Sequence, residues 1–388
     1  MAQMATGLAK PVEDGVWIRP AFETDSEPYW AIKNGIGISL WPRTPVRGLI
    51  GIHAPYLGFP EGRVVNFVAI EPLVRGRRGY SEMERSGLDD RQGLRLWSAN
   101  ELNESPEISV PHFPAKGVLS ELDGVQTLSF YVYAEPFGNG ARPIVQVVLR
   151  QDRPHEVTFR TFVTTDSAPM DACILTATMG NYGRLRRLWL KDEIVLSTDL
   201  WPQFAPENER FAPHHQWPLE KIRVFDDEAW VAASPNESDL VEVDYVEAVQ
   251  WWWKYTGTPA THYWRKPQPH SSLMTRVNGR SNYYGGRGSR IPGGIAYENF
   301  ELQESFTKGA EFSFGVTPET PEALGFVSGI APSQEDRSRM SNTKENFVAA
   351  YIHLQRCYSA SDEFEKREQS IGKQLDLLKE TGIRIVMP

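Results

Sequence analysis

The residues best suited to chemistry lie between Trp251 and Glu301, where aromatic, basic and carboxylate side chains are interspersed with glycines. The run YGGRGSRIPGG, which starts at Tyr284, is too rich in glycine to be a regular strand. Glycine lets a loop adopt φ > 0 and approach a ligand closely, and functional side chains commonly lie on such loops above a β scaffold. The segment predicts a cleft in which rings stack on a carbohydrate-like small molecule or oligosaccharide while Arg and Asn bind its hydroxyls. The competing interpretation is a surface loop with solvated arginines.

Glu298 is the leading catalytic candidate. It lies in the apolar run IAYENFEL directly after the glycine-rich loop. Burial raises the pKa of a carboxyl group, so Glu298 is a candidate general acid or base. An ion pair with a nearby arginine is the structural alternative, and such pairs outnumber catalytic acids. In a regular strand, Glu298 and Phe300 would face one side, and Asn299 and Glu301 the other.

Cleavage of a glycosidic bond requires a second carboxylate across the bond. The stretch from Asn66 to Trp97 offers Glu71, and after it Glu82 and Glu84. The competing interpretation is a charged loop whose acids and bases neutralise one another in solvent.

An elimination mechanism requires a base and a cation instead. Tyr284 or His262 would serve as the base, and Arg287 would neutralise the carboxylate of a uronate. The catalytic candidates of the two mechanisms are Glu298, His262, Tyr284 and Glu71, and the predicted ligand-binding residues are Arg287, Trp252, Trp264, Asn282, Tyr283 and Arg290.

Other patterns favour structural roles. Arg184, Arg186 and Arg187 follow a turn and indicate either an anion site or, preferably, the charged edge of a sheet. His214 and His215 point apart in an extended chain, and no HExxH or paired CxxC pattern is present. No cofactor is therefore predicted, although a calcium site stays open because its oxygen ligands leave a diffuse signature. Cys173 lies in an apolar run that predicts a core residue.

Composition narrows the function classes. The net charge of −9 disfavours nucleic acid as a partner. The sequence contains no run of about 18 apolar residues, so no membrane span is predicted. Two cysteines form no disulfide framework, and the N-terminus lacks the pattern of a signal peptide, so a cytoplasmic protein with reduced thiols is expected. A homo-oligomer remains open.

The elements that position these residues are short and alternate with period two. The segments 125–133, 143–150 and 157–163 are β-branched and aromatic runs, and Gly138–Gly140 forms a turn between two of them. A break in the strand is expected at Glu71–Pro72, because proline cannot donate to a ladder. Helical periodicity is concentrated near the C-terminus, where Phe364, Ile371, Leu375 and Leu378 share one face.

These patterns predict an all-β fold, a large antiparallel β-sandwich of the jelly-roll or supersandwich type, or two packed sandwich units, with a short C-terminal helical tail. The predicted regions are an N-terminal β-sandwich region (1–190), a second β region carrying the candidate site (191–331), and a linker with the helical tail (332–388). The predicted function is a carbohydrate-active enzyme that cleaves or modifies a glycoside, as a hydrolase or a lyase. The alternative is a non-catalytic sugar-binding or assembly protein.

Overall fold

A computed structural model describes residues 12–20, 28–40, 47–58, 63–109, 111, 113–122, 124–204, 211–236, 243–246, 259–284 and 288–326. Within these ranges the chain is almost entirely strand and turn. The only α-helix among them is α1 (Ser197–Leu200), with single 3-10 turns at Pro55–Leu57 and Leu219–Lys221. The predicted excess of strand over helix is confirmed, and the predicted helical tail lies outside the described residues.

The strands are short, as the frequent Pro and Gly predict. They are β1 (Val12–Asp14), β2 (Trp17–Arg19), β3 (Tyr29–Ile32), β4 (Gly37–Leu40), β5 (Leu49–His53), β6 (Val64–Val74), β7 (Arg77–Arg78), β8 (Leu96–Ala99), β9 (Val118–Leu122), β10 (Val125–Ala134), β11 (Pro143–Arg150), β12 (Glu156–Val163), β13 (Ala172–Thr178), β14 (Leu185–Trp189), β15 (Ile194–Leu196), β16 (His215–Pro218), β17 (Arg223–Phe225), β18 (Glu228–Pro235), β19 (Thr261–Pro267), β20 (Met274–Arg280), β21 (Ala296–Gln303) and β22 (Ala310–Thr317).

Two antiparallel sheets of 11 strands each form the described fold. Sheet I has the order β1-β2-β3-β4-β5-β6-β13-β21-β20-β16, with β7 paired to β6. Sheet II has the order β15-β14-β18-β19-β22-β12-β11-β10-β8, with β17 paired to β18 and β9 to β10. One large apolar core contains residues of both sheets, among them Trp30, Phe130, Trp264 and Phe300. The all-β sandwich prediction is confirmed.

Each sheet combines strands from before and after residue 190. In sheet I, β13 pairs with β21, and in sheet II, β12 pairs with β22. Residues up to 327 accordingly group into one compact unit. This arrangement corresponds to the alternative of one large sandwich, because strands from both sides of the predicted boundary at residue 190 share each sheet.

The strand β6 passes through Pro72 without a break, so the expected interruption is wrong. In an antiparallel ladder the N–H and C=O of one residue point to the same neighbour. The Pro72 carbonyl accepts hydrogen bonds from the Gly79 N–H and the Asn139 side chain, on the side where the turn after β7 returns. The missing N–H therefore faces a loop, and the pairing of Pro72 with Cys173 of β13 is kept.

A bulge in β21 changes the direction of its side chains. Val277 pairs with Phe300 and Gly279 with Tyr297, so Asn278 alone lies opposite Glu298 and Asn299. The Asn278 side chain accepts the Asn299 N–H at 3.0 Å. The extra residue shifts the alternation, a known effect of bulges.

Because of that shift, Tyr297, Phe300 and Leu302 all lie in the main core. Glu298 and Glu301 consequently both face away from it. The expectation that they point to opposite sides is wrong, since it assumed a regular strand.

Candidate functional site

The outer face of sheet I, which points away from the core, carries a group of buried polar side chains. An apolar cluster that includes Phe67, Ala69 and Ala296 occupies part of this face. Beside it lie six charged or hydroxyl-bearing residues of neighbouring strands and of the β6–β7 hairpin, which we call the outer-face cluster: Glu71, Arg78, Thr176, Arg280, Glu298 and Glu301. The β6–β7 hairpin joins Glu71 and Arg78, and long-range pairing of β6, β13, β21 and β20 brings the other residues to them.

Glu298 is almost completely buried, with 1% of its surface exposed. Its Oε2 atom has no hydrogen-bond partner within the described part of the chain. Burial raises the pKa of its carboxyl to about 7, and the nearby positive charge of Arg280 offsets the rise only in part. Glu298 thus has the properties of a general acid that is half protonated near neutral pH.

Arg280 places a positive charge next to Glu298 and is flanked by two aromatic rings. Its guanidinium carbon lies 4.9 Å from the ring centre of Phe211 and 5.5 Å from that of Tyr284. Both rings are on the surface, with 47% and 38% of their area exposed. Two exposed rings therefore border Arg280, whose charge acts on Glu298.

Glu301 is the ionised carboxylate of this face. It accepts hydrogen bonds from both terminal nitrogens of Arg78 (2.9 and 2.5 Å) and from the Thr176 hydroxyl (2.7 Å). Arg276 adds a longer contact of 3.4 Å. These interactions, with the charge of Arg78 as the largest, hold the pKa of Glu301 below its usual value although the group is fully buried. The sequence interpretation did not single out Glu301, because a regular strand would have turned it away from Glu298.

Glu71 lies on the same face but at a different place along the sheet. Its carboxylate forms an ion pair with the Nε of Arg78. Burial raises its pKa well above the usual value, and the negative charge of Glu301, which shares Arg78, adds to the rise. Glu71 pairs with Ile174 of β13, and the register of β13 with β21 places Ile174 beside Gln303. Gln303 is five residues from Glu298 along β21, which corresponds to a distance of ~16 Å between their backbones. Glu71 and Glu298 are therefore too far apart to flank one glycosidic bond.

The other two carboxylates of that stretch differ from each other. Burial raises the pKa of Glu82 to about 7. Glu84 instead accepts the backbone N–H groups of Tyr80 and Gly138 and so anchors a loop.

His262 and Trp264 lie in the interior, and the structure does not bring them to the outer face. The Nδ1 of His262 is 3.0 Å from the Asn66 side chain across the two sheets. Burial lowers its pKa to about 3, so the imidazole is neutral at ordinary pH. Trp264 is fully buried against Phe159 and Phe314, and its indole N–H donates to the Phe300 carbonyl.

Three of the remaining predicted binding residues, Tyr283, Asn282 and Arg290, belong to the loop after β20. Tyr283 is fully buried and accepts a hydrogen bond from Arg184 at 2.9 Å. Asn282 is buried as well and is bridged to Arg290, which is exposed. Arg287 and Trp252 lie outside the described residues.

The arginines after β13 are not the solvated edge that the sequence favoured. Arg184 has no exposed surface and Arg186 only 4%. Arg186 donates to the carbonyl of Pro292, so both arginines fasten the loop that precedes β21. Their long-range partners could not be read from the local pattern.

Two further features are structural. Cys173 is buried in the core, as predicted, and burial raises the pKa of its thiol to about 12. Among the described residues, no group of three or more His, Cys, Asp or Glu side chains is arranged to hold a metal ion. Over the same ranges, no helix has the length and apolar character that a membrane span requires.

In comparisons with known proteins, no protein-family model matches the chain, and no curated protein sequence matches it.

Proposed function

We propose that the protein is a carbohydrate-active enzyme that cleaves a glycoside at the outer face of sheet I, with Glu298 as the general acid. The observation that carries the proposal is the state of Glu298: a buried carboxyl with one oxygen that lacks a hydrogen-bond partner among the described residues, a pKa raised to about 7, and the charge of Arg280, itself bordered by an exposed ring, acting on it. A carboxyl of this kind is able to protonate a leaving-group oxygen at neutral pH.

Glu301 is the ionised counterpart in this proposal. Two carboxyls whose surroundings push their pKa values apart are the usual sign of an acid and its charged partner. The pKa of Glu298 is raised and that of Glu301 is lowered on one face of β21. In inverting hydrolysis the acid protonates the leaving-group oxygen and its partner takes a proton from the attacking water. Glu301 would take that proton after exchanging one of its hydrogen bonds, such as the long contact of 3.4 Å with Arg276, for the water.

The spacing along β21 suits this division of roles. Three strand residues span about 10 Å, and a bulge shortens that path. Carboxyl groups in inverting glycosidases are about 6.5–9.5 Å apart, whereas retaining enzymes need about 5 Å. We therefore expect inversion at the anomeric carbon.

Substrate binding would fall to the exposed rings and the arginine between them. Phe211 and Tyr284 offer flat apolar faces, and Arg280 offers hydrogen-bond donors to hydroxyls or to a uronate carboxylate. The same surface supports the second candidate, sugar binding without turnover, which the saturated hydrogen bonding of Glu301 favours.

The test measures turnover of a panel of glycans. Hydrolysis is detected by the release of reducing sugars, and elimination by the ultraviolet absorbance of unsaturated products. We expect Glu298→Gln to lower turnover by about 100-fold or more while ligand affinity is kept, because shape stays and the proton is lost. Glu304→Gln is the matched control, since Glu304 is a buried glutamate just beyond β21 that pairs with Lys266 at 3.0 Å.

Full turnover in folded Glu298→Gln protein would remove Glu298 from catalysis. Binding of glycans without any turnover in the native protein would select the sugar-binding alternative. Appearance of unsaturated products would replace hydrolysis by elimination.

A further inference from the structure

The outer face of sheet II contains an open cavity of about 200 Å³. This face belongs to the sheet that does not carry Glu298. Its floor and walls come from the start of β12, from β18 and β19, and from the segment after β22. All the residues that line it lie in the described part of the chain.

Two residues that line the cavity, Tyr263 and Glu156, lie in register on either side of Gly315. Tyr263 of β19 pairs with Gly315 of β22, and Gly315 pairs with Glu156 of β12. A Cβ atom at position 315 would lie 2.1 Å from the Tyr263 ring, so only glycine lets the ring lie flat across β22. The ring reaches Glu156, and its hydroxyl donates to the carboxylate at 3.2 Å.

Aromatic rings form a further part of the lining. Trp230 stacks on Tyr263 with ring centres 5.3 Å apart and an angle of 30° between the planes. His155 lines the cavity as well and stacks on Tyr56 at 4.3 Å and 11°. Rings held in place by such contacts offer a rigid apolar surface.

The charged groups of the cavity are one buried carboxylate, Glu156, and two less buried groups of opposite charge, Arg153 and Glu319. Glu156 is 4% exposed and receives two hydrogen bonds from Arg265, at 2.5 and 3.1 Å. Arg153 lies 3.7 Å from Glu156, and Glu319 and Thr317 also line the cavity. Arg265 neutralises Glu156 from outside the lining, and Arg153 and Glu319 then contribute one charge of each sign. The cavity thus contains donors and acceptors together, without an excess of either charge that would select a free anion or cation.

We propose that this cavity binds one neutral sugar ring, as a second carbohydrate site on the opposite sheet from Glu298. A pyranose ring has an apolar face, which stacks on an indole ring. It also has hydroxyl groups, which both donate and accept hydrogen bonds. The Trp230 ring supplies the indole surface for stacking. Hydrogen-bond partners for the hydroxyl groups are supplied by Arg153, Glu319 and Thr317. The small volume limits the occupant to about one ring, since drug-sized ligands occupy about 300–1,000 Å³.

This proposal goes beyond the catalytic one and does not depend on it. A site on sheet II would hold the protein on a glycan whether or not the outer face of sheet I carries out cleavage. Two sites on one chain raise the avidity for a polymer when both are engaged at once.

The experiment is a titration of the full chain with methyl β-D-glucoside, methyl β-D-galactoside and methyl α-D-mannoside. Binding is monitored through the indole N–H signal of Trp230 in NMR spectra. The signal is assigned from the Trp230→Phe variant. We expect at least one glycoside to shift it saturably in the millimolar range, and Trp230→Ala to weaken that binding at least tenfold. Phe113→Ala is the matched control, since Phe113 is an exposed aromatic residue that does not line the cavity, and it should bind like the native protein.

Glu319→Gln and Arg153→Gln keep the proposal testable if Trp230→Ala does not fold, because both side chains lie at the solvent side of the cavity. Each is expected to weaken glycoside binding several-fold. The proposal is overturned if no glycoside shifts the Trp230 signal, if these variants bind like the native protein, or if choline or acetate binds there instead. Glu298→Gln should leave the titration unchanged, so failure of the catalytic proposal is measured separately.

Discussion

The protonation of Glu298 leads to a prediction about stability that does not require the substrate to be known. Its pKa rises from 4.5 to about 7 on folding. The folded state therefore holds the Glu298 proton more tightly than the unfolded state does. The stabilisation is fully present below pH 4.5 and is lost as the pH rises through about 7. With 1.36 kcal/mol for each pKa unit, the loss amounts to about 3 kcal/mol in the free energy of unfolding.

Glu298→Gln removes this dependence, because an amide of the same shape does not ionise. At pH 5 the variant and the native protein should unfold at similar urea concentrations. At pH 8 the variant should be more stable by up to about 3 kcal/mol. The measurement is urea unfolding at several pH values, with the difference between the two proteins taken at each one. Other groups that titrate in this range, such as Glu82, cancel in that difference.

Glu301→Gln is the internal control, and it should give the opposite sign. The pKa of Glu301 is lowered on folding, so its ionised form stabilises the folded state at neutral pH and that stabilisation is lost as the pH falls. Replacement removes the charge that binds Arg78 and Arg276 and should destabilise the protein at pH 7 by about 3–5 kcal/mol, the usual cost of breaking a buried pair.

One result would refute the reasoning about Glu298. If Glu298→Gln is less stable than the native protein at pH 8, then Glu298 is ionised in the fold and acts as the structural partner of Arg280. Identical pH profiles for the two proteins would show that the carboxyl is not desolvated.

Three further predictions concern residues that the structure places in the interior. Trp264→Ala should lower the free energy of unfolding by about 3–5 kcal/mol, measured in urea, because it leaves a cavity in the main core. His262→Gln should reduce the loss of stability between about pH 6.5 and pH 3, since the imidazole is neutral in the fold and gains a proton on unfolding; an unchanged acid limb would contradict this. Cys173 should not react with a thiol reagent in the native protein and should react in urea, because its thiol is buried with a pKa of about 12.

Local pattern was sufficient for the strands and for the fold class. The predicted runs 125–133, 143–150 and 157–163 coincide with β10, β11 and β12, and the turn at Gly138–Gly140 lies between the first two. Alternation with period two depends only on which residues neighbour one another in the chain, so it is visible in the sequence. The burial of Cys173 follows from the same pattern.

Pairing between distant segments decided the rest. The bulge opposite Asn278 turned Glu301 to the side of Glu298, and β5 pairs with β6 only as far as Leu49 opposite Ala69, which left room for Pro72 within β6. Neither event has a local signal, because each depends on the register of a neighbouring strand. The assignment of His262 to an acid–base role likewise took no account of Asn66, which lies across the core.

The sequence by itself therefore determined which residues form strands and which residue types were present for chemistry. Only the tertiary structure decided which carboxyl is protonated and which is charged. A pKa depends on burial and on the charges within a few ångströms. For Glu301 those charges come from Arg78, a residue far away in the chain, and for Glu298 the burial comes from the packing of a whole sheet face.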